Sequence, residues 1–175
     1  MKLPRAYAGV TFSVSLISFS YIFHVDLERQ LREKVLSPQF TQLMLGNEHK
    51  VKIGDDLAHF GMPDDGNGRY TEFRAFSDWY FLNIEKRIHR NDFEHIVTVL
   101  PLSLINGLIY PRVTTGILLT YIVGRALYSA GYREKEGAFN QFRIAGSLMV
   151  NVAHLATIGL SGFIGIRLAR GSLWI

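Results

Sequence analysis

The chain has 175 residues, a formal net charge of +4, no cysteine, and a composition that is 48% hydrophobic. This length suits one domain, and the absence of thiols excludes a disulfide framework and thiol chemistry supplied by the protein. The basic residues do not cluster with aromatics in one tract, so nothing points to a nucleic-acid surface.

Apolar residues fall in blocks, and the blocks predict helices. Residues 6–23 (AYAGVTFSVSLISFSYIF) carry no charge, and a helix needs about 20 such residues to cross a hydrocarbon core. Lys2 and Arg5 precede this block as in a signal peptide. It is too long for that role and lacks a small-residue cleavage site, so it reads as an anchor. VDLERQLREKVL continues the helical period with Leu27, Leu31 and Val35 apolar. The first helix is therefore expected over about 6–36, leaving the bilayer and stopping near Ser37-Pro38.

Residues 39–77 read as a long polar loop. They contain Gly46, Gly54, Gly61, Gly66, Gly68, Pro63 and several acids, so turns should dominate. Within them, GDDLAHFGMPDDGNGRYTEF invites a metal reading through Asp55, Asp56 and His59. Counting from Asp65, an EF-hand would need glycine at its sixth position, and Tyr70 stands there. A solvated loop with no metal site is the expectation.

SDWYFLN brings Trp79 toward a membrane interface, where Trp and Tyr concentrate, and a second helix is expected over 78–110. Tyr110-Pro111-Arg112 makes a tight turn into a third, 112–132, whose only charge before Arg133 is Arg125 after Arg112. A fourth is expected over 143–168, where His154 reads as an interhelical hydrogen-bonder. The third and fourth are apolar all round and rich in Gly, Ser and Thr, as membrane helix interfaces tend to be. The fold class expected is all-α, an integral membrane four-helix bundle in one domain, residues 1–175, with a polar loop between helices one and two. Lys and Arg are concentrated after the first and third helices. The positive-inside rule puts those segments on the cytosolic or matrix side.

The most informative polar constellation is NIEKRIHRNDFE, residues 83–94, at the rim of the second span. Arg87, Asn91 and Glu94 lie at i, i+4 and i+7 and share one helical face, with His89 half a turn away. Arg125, Tyr128 and Tyr132 share another face at i, i+3 and i+7. Polar groups at this depth are costly, so they serve either a ligand or a structural ion-pair cluster. Spacing alone fits both equally.

Three segments carry a resemblance. Arg87-Ile-His89-Arg-Asn91-Asp-Phe-Glu94 matches R-x-(H/Q)-x-N-x-x-E. Gly107-Leu-Ile-Tyr110-Pro111-Arg112 matches G-x-x-(Y/H)-P-R. Val123-Gly124-Arg125-Ala-Leu-Tyr128-Ser-Ala-Gly131-Tyr132 matches V-G-R-x-L-Y-x-x-G-Y. In pattern, order and separation the chain resembles the family of membrane-associated proteins in eicosanoid and glutathione metabolism (MAPEG). It is most like the third-type microsomal glutathione transferases and the leukotriene C synthases.

The resemblance implies a MAPEG-like bundle that binds glutathione between subunits of a homotrimer. It makes Arg87, His89, Asn91, Glu94, Arg125, Tyr128 and Tyr132 ligand-binding. Glutathione carries two carboxylates and one ammonium, which call for fixed cations, a carboxylate and amide partners. Activity also needs a cation beside the thiol, whose pKa of about 8.5 leaves it mostly protonated at neutral pH. The family's activating arginine follows the Gly-Tyr pair by about two turns, which here falls near Phe139 and Asn140. The nearest cations are Arg133, Lys135 and Arg143, and Arg143 takes the catalytic place only in a shifted register. Glu134 and Glu136 would oppose a thiolate.

Two functions follow as expectations. One is transfer of glutathione to lipophilic electrophiles, or reduction of lipid hydroperoxides, in an endoplasmic reticulum or mitochondrial membrane. The other is a non-catalytic MAPEG-derived accessory subunit held by other membrane subunits of a large complex, such as one in the mitochondrial inner membrane. A transporter is disfavoured, since no polar stripe or discontinuous helix pair is present.

Overall fold

The structure, a computed structural model, describes residues 3–58 and 64–172; His59, Gly61 and Pro63 lie outside the described residues. Five α-helices follow in order: α1 Tyr7–Val35, α2 Pro38–Ile53, α3 Phe76–Ile109, α4 Pro111–Arg133 and α5 Gln141–Ala169, with one 3-10 turn at Gly137–Phe139 before α5. No strand occurs among the described residues. α1, α3, α4 and α5 are each long and apolar enough to cross a membrane. Large apolar side chains such as Phe12, Leu148, Val152 and Leu155 are exposed on them, which suits lipid as the surrounding solvent.

The expected polar loop over 39–77 is corrected at its start, where α2 occupies Pro38–Ile53. Ser37-Pro38 ends one helix and also begins the next. Ser37 is the extended N-cap residue and Pro38 sits at the first helical position, where its missing N–H costs nothing. Gly46 lies inside the helix, and Gly54, at φ 92°, closes it with its N–H on Lys50 O at 3.0 Å, a left-handed glycine cap.

The chain divides into two compact units, residues 23–89 and residues 1–22 with 90–175; α1 and α3 contribute to both. In the first, residues 64–70 at the end of the Asp-rich stretch are organised by one carboxylate. Asp64 Oδ1 accepts from Gly66 N at 2.7 Å and Gly68 N at 2.9 Å, and Oδ2 from Tyr70 N at 2.7 Å. Asp64 is buried, and three N–H donors offset its desolvation. Arg74 caps the end of α1, donating to Val35 O and to Lys34 O, and lies 3.9 Å over the Phe40 ring; a cation at a helix C-terminus suits the dipole there.

In the other unit, Val10, Ile17, Val99, Leu118, Tyr121, Val150 and Ala153 form the core. Lipid is as apolar as these side chains, so close packing and polar links supply the specificity. Asn106, fully buried, donates to Thr157 O at 2.9 Å and accepts from Ser161 Oγ at 2.8 Å, tying α3 to α5. Between α4 and α5 the backbones approach so closely that a Cβ on Gly146 would lie 2.3 Å from Tyr128 N, and one on Gly131 2.3 Å from Arg143 N. Because the obstructing atoms are backbone, no rotamer change relieves them. Gly146→Val is therefore expected to destabilise by about 1–3 kcal/mol. Thermal unfolding in detergent checks this, and an unchanged midpoint would mean the two helices do not pack at this register.

Candidate functional site

α4 presents Arg125, Tyr128 and Tyr132 on one face, all buried. Across from them, α3 presents Asn91 and Asp92. Arg125 Nη1 donates to Asn91 Oδ1 at 2.7 Å, joining the two motif segments that the sequence separates by 34 residues. Arg125 Nε lies 2.9 Å from Asp92 Oδ1, with side chains 3% exposed on both partners. Nε makes no well-aligned hydrogen bond, so the contact is best described as an ion pair.

Asp92 is not among the residues that the i, i+4, i+7 pattern of Arg87, Asn91 and Glu94 singles out. A usable signal existed. An intramembrane arginine calls for a counter-charge, and Asp92 is a carboxylate within that segment.

The aromatic half of the site follows from helical spacing. The Tyr128 and Tyr132 rings lie 5.4 Å apart at 60°. Arg125 Cζ is 4.9 Å from the Tyr128 ring centre. Arg143, in the first turn of α5, stands 5.8 Å over Tyr128 and 5.4 Å over Tyr132.

It reaches them because Gly131 lets α5 start directly against α4. Asn140 then begins α5 as its cap, accepting from Phe142 N at 2.9 Å. The residue near the family's cation position is thus a helix cap, and Arg143, three residues on, is the cation beside both phenols. Among the described residues its Nε is buried with no hydrogen-bond partner.

The remaining sequence-derived residues lie elsewhere. Glu94 is exposed and pairs with Arg90 at 3.4 Å, one turn back; such an exposed pair contributes little. Arg87 is exposed on α3. His89 hydrogen-bonds Glu28 on α1 through Nδ1. Within one chain, then, Asn91, Arg125, Tyr128, Tyr132 and Arg143 come together, and Glu94 stands apart from them with Arg90.

His154 differs from its expected role as a satisfied hydrogen-bonder. Its ring meets His95 edge-on at 5.0 Å and 89°, and its Nε2 has no hydrogen-bond partner among the described residues. His95 in turn lies edge-on to Tyr121 at 6.5 Å.

Chemically, the Arg125–Asp92 pair is close to neutral as a unit, and Arg143 forms no ion pair among the described residues and stands on a floor of two phenols. That arrangement suits an anion with hydrogen-bonding capacity. The MAPEG family model matches residues 45–165, the larger part of the chain and all three motif segments. No solved structure matches the chain.

Proposed function

The chain belongs to the MAPEG family, and on that premise we propose that it binds glutathione at the α3–α4 polar faces. In this reading Arg143 holds the thiolate, and a lipophilic electrophile or hydroperoxide arrives from the bilayer. The observation that carries the reading is Arg143, a cation over Tyr128 and Tyr132 with a buried, unpartnered Nε. Arg143 lies in the first turn of α5, where a bound anion would take up guanidinium donors that the protein leaves open.

Tyr128 and Tyr132 would hydrogen-bond the sulfur or its neighbours, and Asn91 the peptide groups. Arg125 orients Asn91 and would lend its remaining donors to a carboxylate. Arg87, His89 and Glu94 would complete the site for the carboxylates and ammonium. The exposure of Arg87 and Glu94 is what a site finished by a second copy of the chain requires, so the reading includes a homotrimer.

In the transfer reaction the thiolate sulfur forms a bond to the electrophile's carbon and the displaced pair leaves with its group. No metal is needed for this.

Calorimetric titration with millimolar glutathione tests the reading, alongside the ultraviolet absorbance of its thiolate. Saturable binding with thiolate formation is expected, lost or severely weakened in Arg87→Ala. No binding to the folded wild-type protein would remove the proposal.

A second reading is favoured by a different observation. On α2, Leu43 and Val51 lie on one face at 82% and 85% exposure, on a helix that is not among the candidate spans. Apolar surface of that kind suits coverage by another subunit, as in an accessory protein of a large membrane complex. Migration of the native protein with such a complex, together with absent glutathione binding, would favour this reading over the first.

A further inference from the structure

The 15 carboxylate side chains of the sequence all fall between residues 26 and 94 or at Glu134 and Glu136. Within the unit of residues 1–22 and 90–175, α1 starts, α3 turns into α4 and α5 finishes at one end. Residues 1–25, 95–133 and 137–175 contain no Asp or Glu at all, yet this end carries Arg5, Arg112, Arg167 and Arg170.

Contacts hold the three corners together. Tyr7 OH donates to Leu104 O at 3.2 Å, and Gly107 packs so tightly that a Cβ there would lie 2.9 Å from Val10. Arg167 Nη1 donates to the Tyr110 hydroxyl at 3.3 Å.

Arg5, Arg112 and Arg170 are exposed. Arg167 is held in place: its Nη2 donates to Ser172 O at 3.0 Å, and its Cζ lies 5.8 Å over the Phe163 ring. Two of its N–H groups are engaged in this way, and a guanidinium has five. Among the described residues the ion pairs involve other cations than these. Just inside them, Val113, Phe163 and Ile166 are large, apolar and exposed, as acyl-chain contacts would be. Cations that form no ion pair among the described residues, at the depth where an apolar band ends, match the phosphates of anionic lipids. Such a face sets this end on the anionic leaflet, the reverse of the orientation expected from the Lys and Arg counts.

We propose that this end of the bundle is an anionic-phospholipid binding face, with Arg167 as its pre-positioned phosphate ligand. The occupant is a lipid and not a soluble phosphate, because the exposed apolar residues adjoin the cations and continue into the lipid-facing spans.

Native mass spectrometry of the detergent-solubilised protein with equal amounts of phosphatidylglycerol and phosphatidylcholine tests this. One arginine near an anionic surface contributes a factor of about five. The wild type should therefore retain phosphatidylglycerol with a preference on the order of tenfold or more, shrinking as salt rises. In the triple variant R112Q/R167Q/R170Q most of the preference should be lost, with at most the factor of about five that Arg5 can supply remaining. K50Q/K52Q/R69Q removes three charges from the other unit and should keep it. If the triple variant loses helicity, Arg112→Gln alone, at an exposed site, should still reduce preference about fivefold. The proposal is overturned by a wild type without preference, by equal loss in the two triple variants, by no loss in R112Q/R167Q/R170Q, or by displacement of the lipid with inorganic phosphate.

Discussion

Arg125→Ala is expected to destabilise the protein by about 3–5 kcal/mol, because it leaves Asp92 buried without its counter-charge. The two side chains are 3% exposed and their nearest atoms are 2.9 Å apart. Removing the guanidinium also strips Asn91 Oδ1 of its donor. Asp92→Asn should cost somewhat less, since Arg125 keeps its bond to Asn91 and gains a second amide. The double change Arg125→Met with Asp92→Leu should recover most of the loss, as apolar pairs of similar volume commonly replace buried ion pairs with little net effect. Unfolding midpoints followed by circular dichroism in detergent rank the three variants. Single changes that cost no more than the double would show that water reaches the pair and that it is not the locking element between α3 and α4.

That result bears on how much of the site could be read from sequence. Arg125, Tyr128 and Tyr132 were legible because three residues at i, i+3 and i+7 in a span without other charges must share a face, and the structure buries that face. Asn91 was legible from its place in the motif pattern, although the Arg87 and Glu94 of its expected face are exposed. Asp92 was not, because it lies one residue beyond Asn91, about 100° around the helix from the face of Arg87, Asn91 and Glu94.

The spans themselves were plain, since blocks of uncharged residues have few other uses. α2 is hidden in the sequence because glycines and acids mark residues 39–77 as turn-rich. Gly46 is tolerated inside a helix, and Asp64 organises its segment through backbone donors, a role that composition does not display.

The His95–His154 contact was illegible for a different reason. It joins α3 to α5 across 59 positions of sequence by the difference of their numbers, and a lone histidine in a span gives no hint of its partner.

Arg143 separates a working site from an inherited scaffold. Unlike Arg125, it has no carboxylate partner among the described residues, and it contacts Tyr128 and Tyr132 through their ring faces. Such contacts contribute about 0.5–1 kcal/mol where water has access, so Arg143→Gln should leave stability nearly unchanged. Its effect on bound glutathione should be much larger. A full charge removed from beside the sulfur should raise the thiol pKa by about one unit or more, and one unit corresponds to about 1.4 kcal/mol and a tenfold change in ionisation. Since the free thiol titrates near pH 8.5, the bound thiolate at neutral pH should fall about tenfold, and any transfer rate limited by thiolate should fall with it. Arg143→Lys should recover part of the effect, because the charge is kept while the planar stacking is lost. Lys135→Gln, in the exposed turn before α5, should change neither. Thiolate absorbance against pH on glutathione-saturated protein reads all three variants directly. A bound thiol that titrates identically in wild type and Arg143→Gln would show that Arg143 only props the tyrosines, and the activating role would have to be sought in a residue from a neighbouring copy.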